Sequence, residues 1–248
     1  MKLASTTLGP DDAPRLLIAH GLFGSGRNWG VLQNRLSNAF RVTAVDMRNH
    51  GSSGWSEDHG YDDLAADLAE TLDGPSHVLG HSMGGKAAMA LALRHPDIVQ
   101  KLIVADIAPV VYTHSQMHLV DAMQALDLSK IETRKDADAA LSAHVDTPEV
   151  RAFLLQSLDV RGDGWALNLN ALRDRMDTIT GWSDIDGAFP REALFLSGAD
   201  SDYVTRDMRP EIRDLFPKAR FAEIPDAGHW LHAEKPRDVE AAVRTFLT

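Results

Sequence analysis

Cysteine is absent from the 248-residue chain, and long apolar runs are absent as well. Without cysteine there is no disulfide, no thiolate nucleophile and no zinc-thiolate site. No run approaches the roughly 18 apolar residues of a membrane span, and the opening MKLASTTLGPDDAP lacks the apolar stretch of a signal peptide. We therefore expect a cytoplasmic protein without a membrane span.

Positive charge is also scarce: 25 Lys and Arg residues stand against 36 Asp and Glu residues, which gives a formal net charge of -11. Nucleic acids and anionic membrane surfaces repel such a chain at long range. We therefore expect no nucleic acid and no anionic membrane surface as a partner. The small-molecule substrate that we expect follows from the motifs described below. With 44% hydrophobic and 25% charged residues, the length fits one globular domain that carries one insertion.

Short apolar runs alternate with helical patterns along most of the chain. Leu64, Leu68 and Leu72 are spaced four apart before a glycine, which is typical of a helix with glycine at its C-terminal end. Apolar strands that are each followed by a helix indicate an α/β fold, with a mainly parallel twisted sheet and helices on both faces. The predicted strands are RLLIAHG, FRVTAVD, SHVLGHS, KLIVADIAP, REALFLSGAD and ARFAEIP.

The alternation stops between residues 109 and 187, where the sequence is mostly helix-like and WALNL is the one candidate strand. We interpret residues 109–187 as a helical lid inserted into the core. Residues 1–108 and 188–248 are then the first and second parts of that core. Ligand clefts in open α/β sheets lie where the strands end, so we expect the lid to cover a cleft there.

One serine, Ser82, lies between glycines in GHSMG, after an apolar strand and before a helix. A G-x-S-x-G pattern between a strand and a helix is typical of a nucleophile. Small residues on both sides allow a tight turn that lifts the hydroxyl clear of the sheet, and the helix begins with free N–H groups. Ser82 is therefore the candidate nucleophile, and the alternative is a serine that only caps the helix.

A serine hydroxyl needs a base to remove its proton. His229, in PDAGHW, follows the last predicted strand and comes late in the chain, as the order serine, acid, histidine requires. His232 is the weaker candidate. His114 and His118 are spaced so that they could share a metal, but no carboxylate accompanies them in a metal-binding pattern, so we expect no metal site.

The reaction also needs hydrogen-bond donors for the oxyanion. The glycine-rich segment HGLFGSGRNW follows the first predicted strand and presents backbone N–H groups beside the nucleophile. The N–H groups of Leu22 and of Met83, the residue after the nucleophile, are the candidate donors. Phe23 is the next candidate after Leu22.

Five motifs in order, HGLFGSGRNW, DMRNHGSS, GHSMGGK, DIAPV and GHWLHAEKP, resemble those of the α/β-hydrolase superfamily. Within it, they resemble the small single-chain esterases of the YbfF type. The resemblance covers nearly the whole chain. It implies a carboxylesterase or thioesterase that works through an acyl-enzyme, with no metal or organic cofactor.

The acid is where the chain departs from the commonest pattern of that superfamily. An aspartate would stand three residues after the glycine that ends the penultimate strand, but Ser201 stands there, between Asp200 and Asp202. Asp106 ends the strand after the nucleophile's helix, as the acid does in some members, and a buried carboxylate there needs a partner such as an imidazolium. We favour Asp106 and keep Asp202 and Asp200 as alternatives. Asp106 as a simple turn residue is the competing interpretation.

The expected reaction is cleavage of a carboxylic ester or thioester. An acyltransferase, a perhydrolase, a carbon-carbon bond hydrolase or a low-turnover ligand receptor can carry the same triad. Several lid residues are spaced either to form an apolar acyl pocket or to pack a helix on the core. They are Leu119, Met123, Leu126, Phe153, Leu154 and Leu158.

Overall fold

The computed structural model describes residues 1–162, 164–182 and 185–248. Its strands are β1 (Ser5–Leu8), β2 (Arg15–Ala19), β3 (Arg41–Val45), β4 (Ser76–His81), β5 (Val99–Ala105), β6 (Leu158–Asp159), β7 (Gly164–Trp165), β8 (Ala193–Gly198) and β9 (Ala219–Ile224). Seven of them form one sheet in the order β1-β3-β2-β4-β5-β8-β9, and β6 pairs with β7 in a small separate hairpin. β1 runs antiparallel to β3, and the other neighbours in the large sheet are parallel. The α/β fold class predicted from the sequence is confirmed.

Helices cover both faces of the sheet. They are α1 (Gly30–Leu36), α2 (Tyr61–Thr71), α3 (Met83–Arg94), α4 (Met117–Gln124), α5 (Arg134–Leu141), α6 (Pro148–Leu154), α7 (Leu169–Asp174), α8 (Met176–Thr180), α9 (Arg209–Leu215), α10 (Leu231–Glu234) and α11 (Pro236–Leu247). Short 3-10 helices occupy Gly26–Trp29, Leu128–Lys130, Leu155–Ser157 and Arg206–Met208. None of the helices in these described ranges is long and apolar enough to cross a bilayer.

The core lies on both faces because alternate residues of a strand point in opposite directions. In β2, Leu16 and Ile18 join the apolar cluster under α1 and α11. Leu17 and Ala19 join the cluster under α2 and α3 on the other face. A strand buried on both faces reads as a continuous apolar run, which is why these strands were recognisable in the sequence.

Three local features differ from the sequence-based expectation. The strand β1 was not predicted, because its four residues are all exposed and have no apolar run. The candidate strand WALNL contributes only Trp165 to the hairpin, whose β7 is Gly164–Trp165. Leu72 lies just beyond α2, where the backbone has turned to an extended conformation.

The segment between β5 and β8 contains α4 to α8 and the hairpin. Backbone hydrogen bonds tie it to the loop after β3: Gly51 N–H donates to Ala166 O, and Asn168 N–H donates to Asn49 O. The two ends of the segment also approach each other, since Tyr112 N–H donates to Thr180 O. The segment is therefore fixed to the core at more than its two chain connections.

Lys86 of α3 holds both ends of this segment. Its ammonium group donates to Val110 O and Thr180 O, each at 2.9 Å, and also to Gly181 O. It lies 4.8 Å from the centre of the Tyr112 ring. The side chain is buried, and burial lowers the pKa of Lys86 to about 7. Three carbonyl oxygens match the three donors of an ammonium group, so Lys86 connects α3 to the segment.

We predict that Lys86→Met destabilises the protein by about 2–4 kcal/mol, because three buried carbonyls lose their donor. The free energy of unfolding in urea measures the effect. Lys218→Met, on an exposed lysine, is the control and is expected to change stability by less than about 0.5 kcal/mol. A loss in the free energy of unfolding of less than about 1 kcal/mol for Lys86→Met would contradict the role of Lys86 in connecting α3 to the segment.

Candidate active site

Ser82 lies in a strained turn between β4 and α3. Its φ is 52° and its ψ is -121°, a conformation that is costly for a residue with a side chain. Glycine is required on both sides: a Cβ on Gly80 would lie 2.2 Å from Gly84 O, and a Cβ on Gly84 would lie 2.4 Å from His20 O. The turn places the Ser82 side chain in a cavity above the carboxyl ends of the strands.

Asp106 and His229 form a hydrogen-bonded pair beside this turn. The Nδ1 atom of His229 lies 2.7 Å from Asp106 Oδ2. The carboxylate of Asp106 is completely buried, and the His229 side chain keeps 23% of its surface exposed. A neutral His229 that donates from Nδ1 to the carboxylate has an acceptor at Nε2. His229 lines the same cavity as Ser82.

Two further donors satisfy the Asp106 carboxylate. The N–H of Gly198 donates to Oδ1 at 3.0 Å, and the hydroxyl of Ser201 donates to Oδ2 at 2.5 Å. Ser201 therefore occupies the place where the sequence pattern of the superfamily would put an acid, and its hydroxyl donates to Asp106, the candidate acid that follows β5. Because every buried carboxylate oxygen has a donor, the buried charge is stabilised.

The alternative acids and the alternative base make no hydrogen bond to this pair within the described residues, although His232 lines the same cavity. Asp200 and Asp202 are exposed, and neither has a hydrogen bond to His229 within the described residues. His232 is buried, and its ring stacks on Trp29 with centroids 4.2 Å apart. Burial lowers the pKa of His232 to about 3, so its imidazole stays neutral.

The loop after β2 carries the candidate oxyanion donors. Among the described residues, neither Leu22 N–H nor Met83 N–H has a hydrogen-bond partner. The loop is close to the nucleophile, since a Cβ on Gly21 would lie 3.1 Å from Ser82 Cβ. Phe23 N–H, the third candidate, donates to His50 Nε2 at 3.2 Å. That bond corrects the expectation for Phe23: its N–H is already used.

Buried histidines fix this loop. His20 donates from Nδ1 to Gly21 O, and its Nε2 accepts Met47 N–H. His50 donates from Nδ1 to Arg48 O, and its Nε2 accepts the N–H of Phe23, which has a positive φ of 64°. Both imidazoles must be neutral to accept these bonds. Burial lowers the pKa of His20 to about 4 and that of His50 to about 3.

The cavity that contains Ser82 and His229 is mainly apolar. Lys86 is the one Lys, Arg, Asp or Glu among its described lining residues, and its three donors are already used. Of the six insertion residues considered for an acyl pocket, Leu119 and Phe153 line the cavity, whereas Met123, Leu126, Leu154 and Leu158 pack in the apolar core. The apolar lining residues are Leu22, Phe23, Trp29, Met83, Ile107, Leu119, Val150, Phe153, Ile179 and Trp230.

The remaining sequence motifs have structural contacts. Arg48 of DMRNHGSS donates to both carboxylate oxygens of Asp67 on α2, at 2.6 and 2.9 Å, and so braces the loop after β3.

Within the parts of the chain that the structure describes, no group of three or more His, Asp or Glu side chains is placed to hold a metal ion, and this includes His114 and His118.

Sequence analysis did not identify Ser201, His50 or Tyr203 as parts of the site. Ser201 stood out only as a departure from the superfamily pattern. His50 and Tyr203 act through contacts with residues that are distant in the chain. The ring of Tyr203 stacks on His229 with centroids 3.9 Å apart. No local pattern in the sequence signals such a contact.

Comparisons with known proteins agree with this architecture. A family model described as "alpha/beta hydrolase fold" matches residues 14–236. The chain is 40% identical to Esterase YbfF of Escherichia coli, over 98% of this chain and 97% of that protein. It is 39% identical to the sn-1-specific diacylglycerol lipase ABHD11 of Mus musculus, over 96% of this chain and 82% of that protein. The solved structure of a marine microorganism esterase superposes with a TM-score of 0.93 at 37% identity, over 99% of each chain.

The buried histidines predict that the fold loses stability in mild acid. Burial lowers the pKa of His20 to about 4 and the pKa values of His50, His59 and His232 to about 3. As the pH falls from 6.5 to about 4, these four histidines therefore bind protons in the unfolded chain before they do so in the folded one. The free energy of unfolding falls through this window.

We expect at least two extra protons on the unfolded chain, which is a slope of about 2.7 kcal/mol per pH unit between pH 6 and pH 5. Urea denaturation at several pH values measures it. His59→Gln removes one of these histidines and should lower the slope by about 1.4 kcal/mol per pH unit, which is the contribution of one proton. A slope below about 1.4 kcal/mol per pH unit would contradict the prediction.

Proposed function

The chain belongs to the α/β-hydrolase fold family, and from this premise we propose that its serine ester hydrolase activity proceeds through an acyl-enzyme on Ser82. In this proposal Ser82 is the nucleophile, His229 the general base and Asp106 the acid of the triad. The single observation that carries it is the position of Ser82 and His229 in one cavity with the His229–Asp106 hydrogen bond of 2.7 Å behind them.

The first half of the reaction forms the acyl-enzyme. His229 Nε2 takes the proton of the Ser82 hydroxyl while Oγ attacks the acyl carbonyl carbon. The N–H groups of Leu22 and Met83 stabilise the oxyanion, because they have no other partner among the described residues and lie beside the turn. The imidazolium then protonates the leaving alcohol or thiol. Asp106 holds the Nδ1–H tautomer and stabilises the positive charge.

The second half releases the acid. A water molecule gives its proton to His229 Nε2 and attacks the acyl carbon, and Ser82 leaves with the proton that His229 returns. This cycle consumes one ester and one water and needs no group beyond the side chains and N–H groups named above. A cytoplasmic location of the enzyme stays a prediction.

The acid assignment is tested by a matched set of variants, Asp106→Asn, Asp200→Asn and Asp202→Asn. In Asp106→Asn the amide NH2 can donate to His229 Nδ1 and so favours the wrong tautomer. We expect kcat/KM for a 4-nitrophenyl ester to fall about 10³- to 10⁴-fold. The variants of the two exposed aspartates should stay within about threefold. Retained kcat in Asp106→Asn with loss in Asp202→Asn would show that the acid is misassigned.

The cavity supports an uncharged acyl group as the substrate class. Its lining is mainly apolar, and Lys86 is the one Lys or Arg among its described lining residues and is already bonded to three carbonyl oxygens. A carboxylate on the acyl chain would lose its hydration without gaining a lysine or arginine partner, which is costly. The ester or thioester substrate is therefore expected to carry a neutral acyl chain.

We further propose that residues 109–187 act as a lid over this cavity. Several residues of this stretch line the cavity that contains Ser82, among them the apolar Leu119, Val150, Phe153 and Ile179. Apolar side chains at these positions would exclude water from the acyl group and strengthen the hydrogen bonds to the oxyanion. The fastening by Lys86 would keep the lid close to the nucleophile.

Two esters of equal acyl length test the substrate class. We expect kcat/KM for 4-nitrophenyl octanoate to exceed that for 4-nitrophenyl hydrogen suberate by about 100-fold, since about 3 kcal/mol is a moderate cost for desolvating a carboxylate. Both esters have eight acyl carbons and the same leaving group, so the terminal charge is the variable. Values within threefold of each other would contradict a neutral acyl pocket.

A further inference from the structure

Tyr203 contacts the base of the triad from a segment that the reaction itself does not use. It follows β8, two residues after Ser201. Its ring stacks on the His229 imidazole with centroids 3.9 Å apart and planes 20° apart. The His81 ring lies 4.7 Å from the His229 ring at 42°. Tyr203 therefore makes the closer and more nearly parallel of these two ring contacts with His229.

We propose that Tyr203 is a positioning residue that holds the ring plane of His229, so that Nδ1 stays on Asp106 and Nε2 is available to take the proton of Ser82 in the proposed reaction. This inference rests on the proposed function, because it takes His229 as the base. An imidazole bound through Nδ1 alone can still swing about that bond. A flat ring pressed against its face removes this freedom.

The backbone of Tyr203 is itself held at two points. Its N–H donates to the Ser201 hydroxyl oxygen at 3.3 Å, and Ser201 donates to Asp106. Its carbonyl oxygen accepts the Tyr112 hydroxyl at 2.6 Å, and that hydroxyl accepts Ala108 N–H at 2.9 Å. The ring that touches the base is thus attached to the acid on one side and to the start of the insertion on the other.

The chemistry of the ring suits this role. Burial is the main cause that raises the pKa of the Tyr203 phenol, so the ring is uncharged when the base works. The face of a neutral aromatic ring attracts a cation, and the imidazolium that forms during the reaction would lie against that face. The contact therefore persists in both protonation states of His229.

Two variants separate the ring from its hydroxyl. Tyr203→Leu removes the flat face, and we expect kcat to fall about 10- to 100-fold with KM changed less than about threefold, because a small misplacement of a catalytic group costs up to about 100-fold. Tyr203→Phe keeps the face and should retain kcat within about twofold. Phe221→Leu, which removes a half-buried ring of β9 that packs on Phe195 away from the cavity, is the control for a general loss of packing and should leave kcat within about twofold.

A proton NMR signal gives a readout that a merely structural role would not move. The Nδ1 proton of His229, bonded to Asp106, should give a low-field resonance in the wild type and in Tyr203→Phe. In Tyr203→Leu it should broaden through exchange with water, while Phe221→Leu leaves it unchanged. Should Tyr203→Leu fail to fold, Tyr203→Met fills the space without a flat ring and has the same expected effects.

The inference is overturned if Tyr203→Leu or Tyr203→Met keeps kcat within twofold and retains the resonance. It is equally overturned if Tyr203→Phe loses as much activity as Tyr203→Leu, because the hydroxyl and not the ring face would then matter. Failure of the proposed function looks different: the wild-type protein itself would not hydrolyse 4-nitrophenyl esters. An active wild type with an unaffected Tyr203→Leu rejects only the role of Tyr203.

Discussion

The completely buried carboxylate of Asp106 brings together two segments that are distant from it in the chain, residues 198–201 and the loop of His229. A buried carboxylate without donors is strongly unfavourable, and here Gly198 N–H, the Ser201 hydroxyl and His229 Nδ1 supply them. These donors come from the end of β8, the loop after it and the loop after β9. The position of His229, the proposed base, therefore follows from the need to satisfy the Asp106 carboxylate.

The parallel pairing of β4 with β5 then places Ser82, the proposed nucleophile, beside that pair. His81 is opposite Ala105 in the register, so the next residues, Ser82 and Asp106, leave neighbouring strands at the same edge of the sheet. Both have a positive φ of 52°, and Ser82 N–H donates to Ala105 O. Two strained residues side by side are tolerated because the sheet and α3 hold them on either side. The strain directs both side chains away from their strands, the serine into the cavity and the carboxylate toward His229.

The sheet and the position of Ser82 could be predicted from the sequence because their signals are local. Strands buried on both faces give continuous apolar runs. The two glycines around Ser82 are required by close contacts within the same turn and with the adjacent loop. The bond of Ser201 to Asp106 spans 95 residues, and neither it nor the stack of Tyr203 on His229 leaves a local signal. Which side chains of the insertion helices face the cavity could not be predicted either. Spacing predicts an apolar face, but not that Leu119 lines the cavity while Met123 packs in the core.

The account depends most on Ser82 being an activated nucleophile. Peptide mass spectrometry after treatment with a fluorophosphonate tests this directly, with Ser82→Ala as the control. The account predicts a single adduct on Ser82 in the wild type and none in the variant. A folded wild-type protein that forms no adduct, or forms it on another residue, would contradict the assembled triad and the ester hydrolase mechanism built on it.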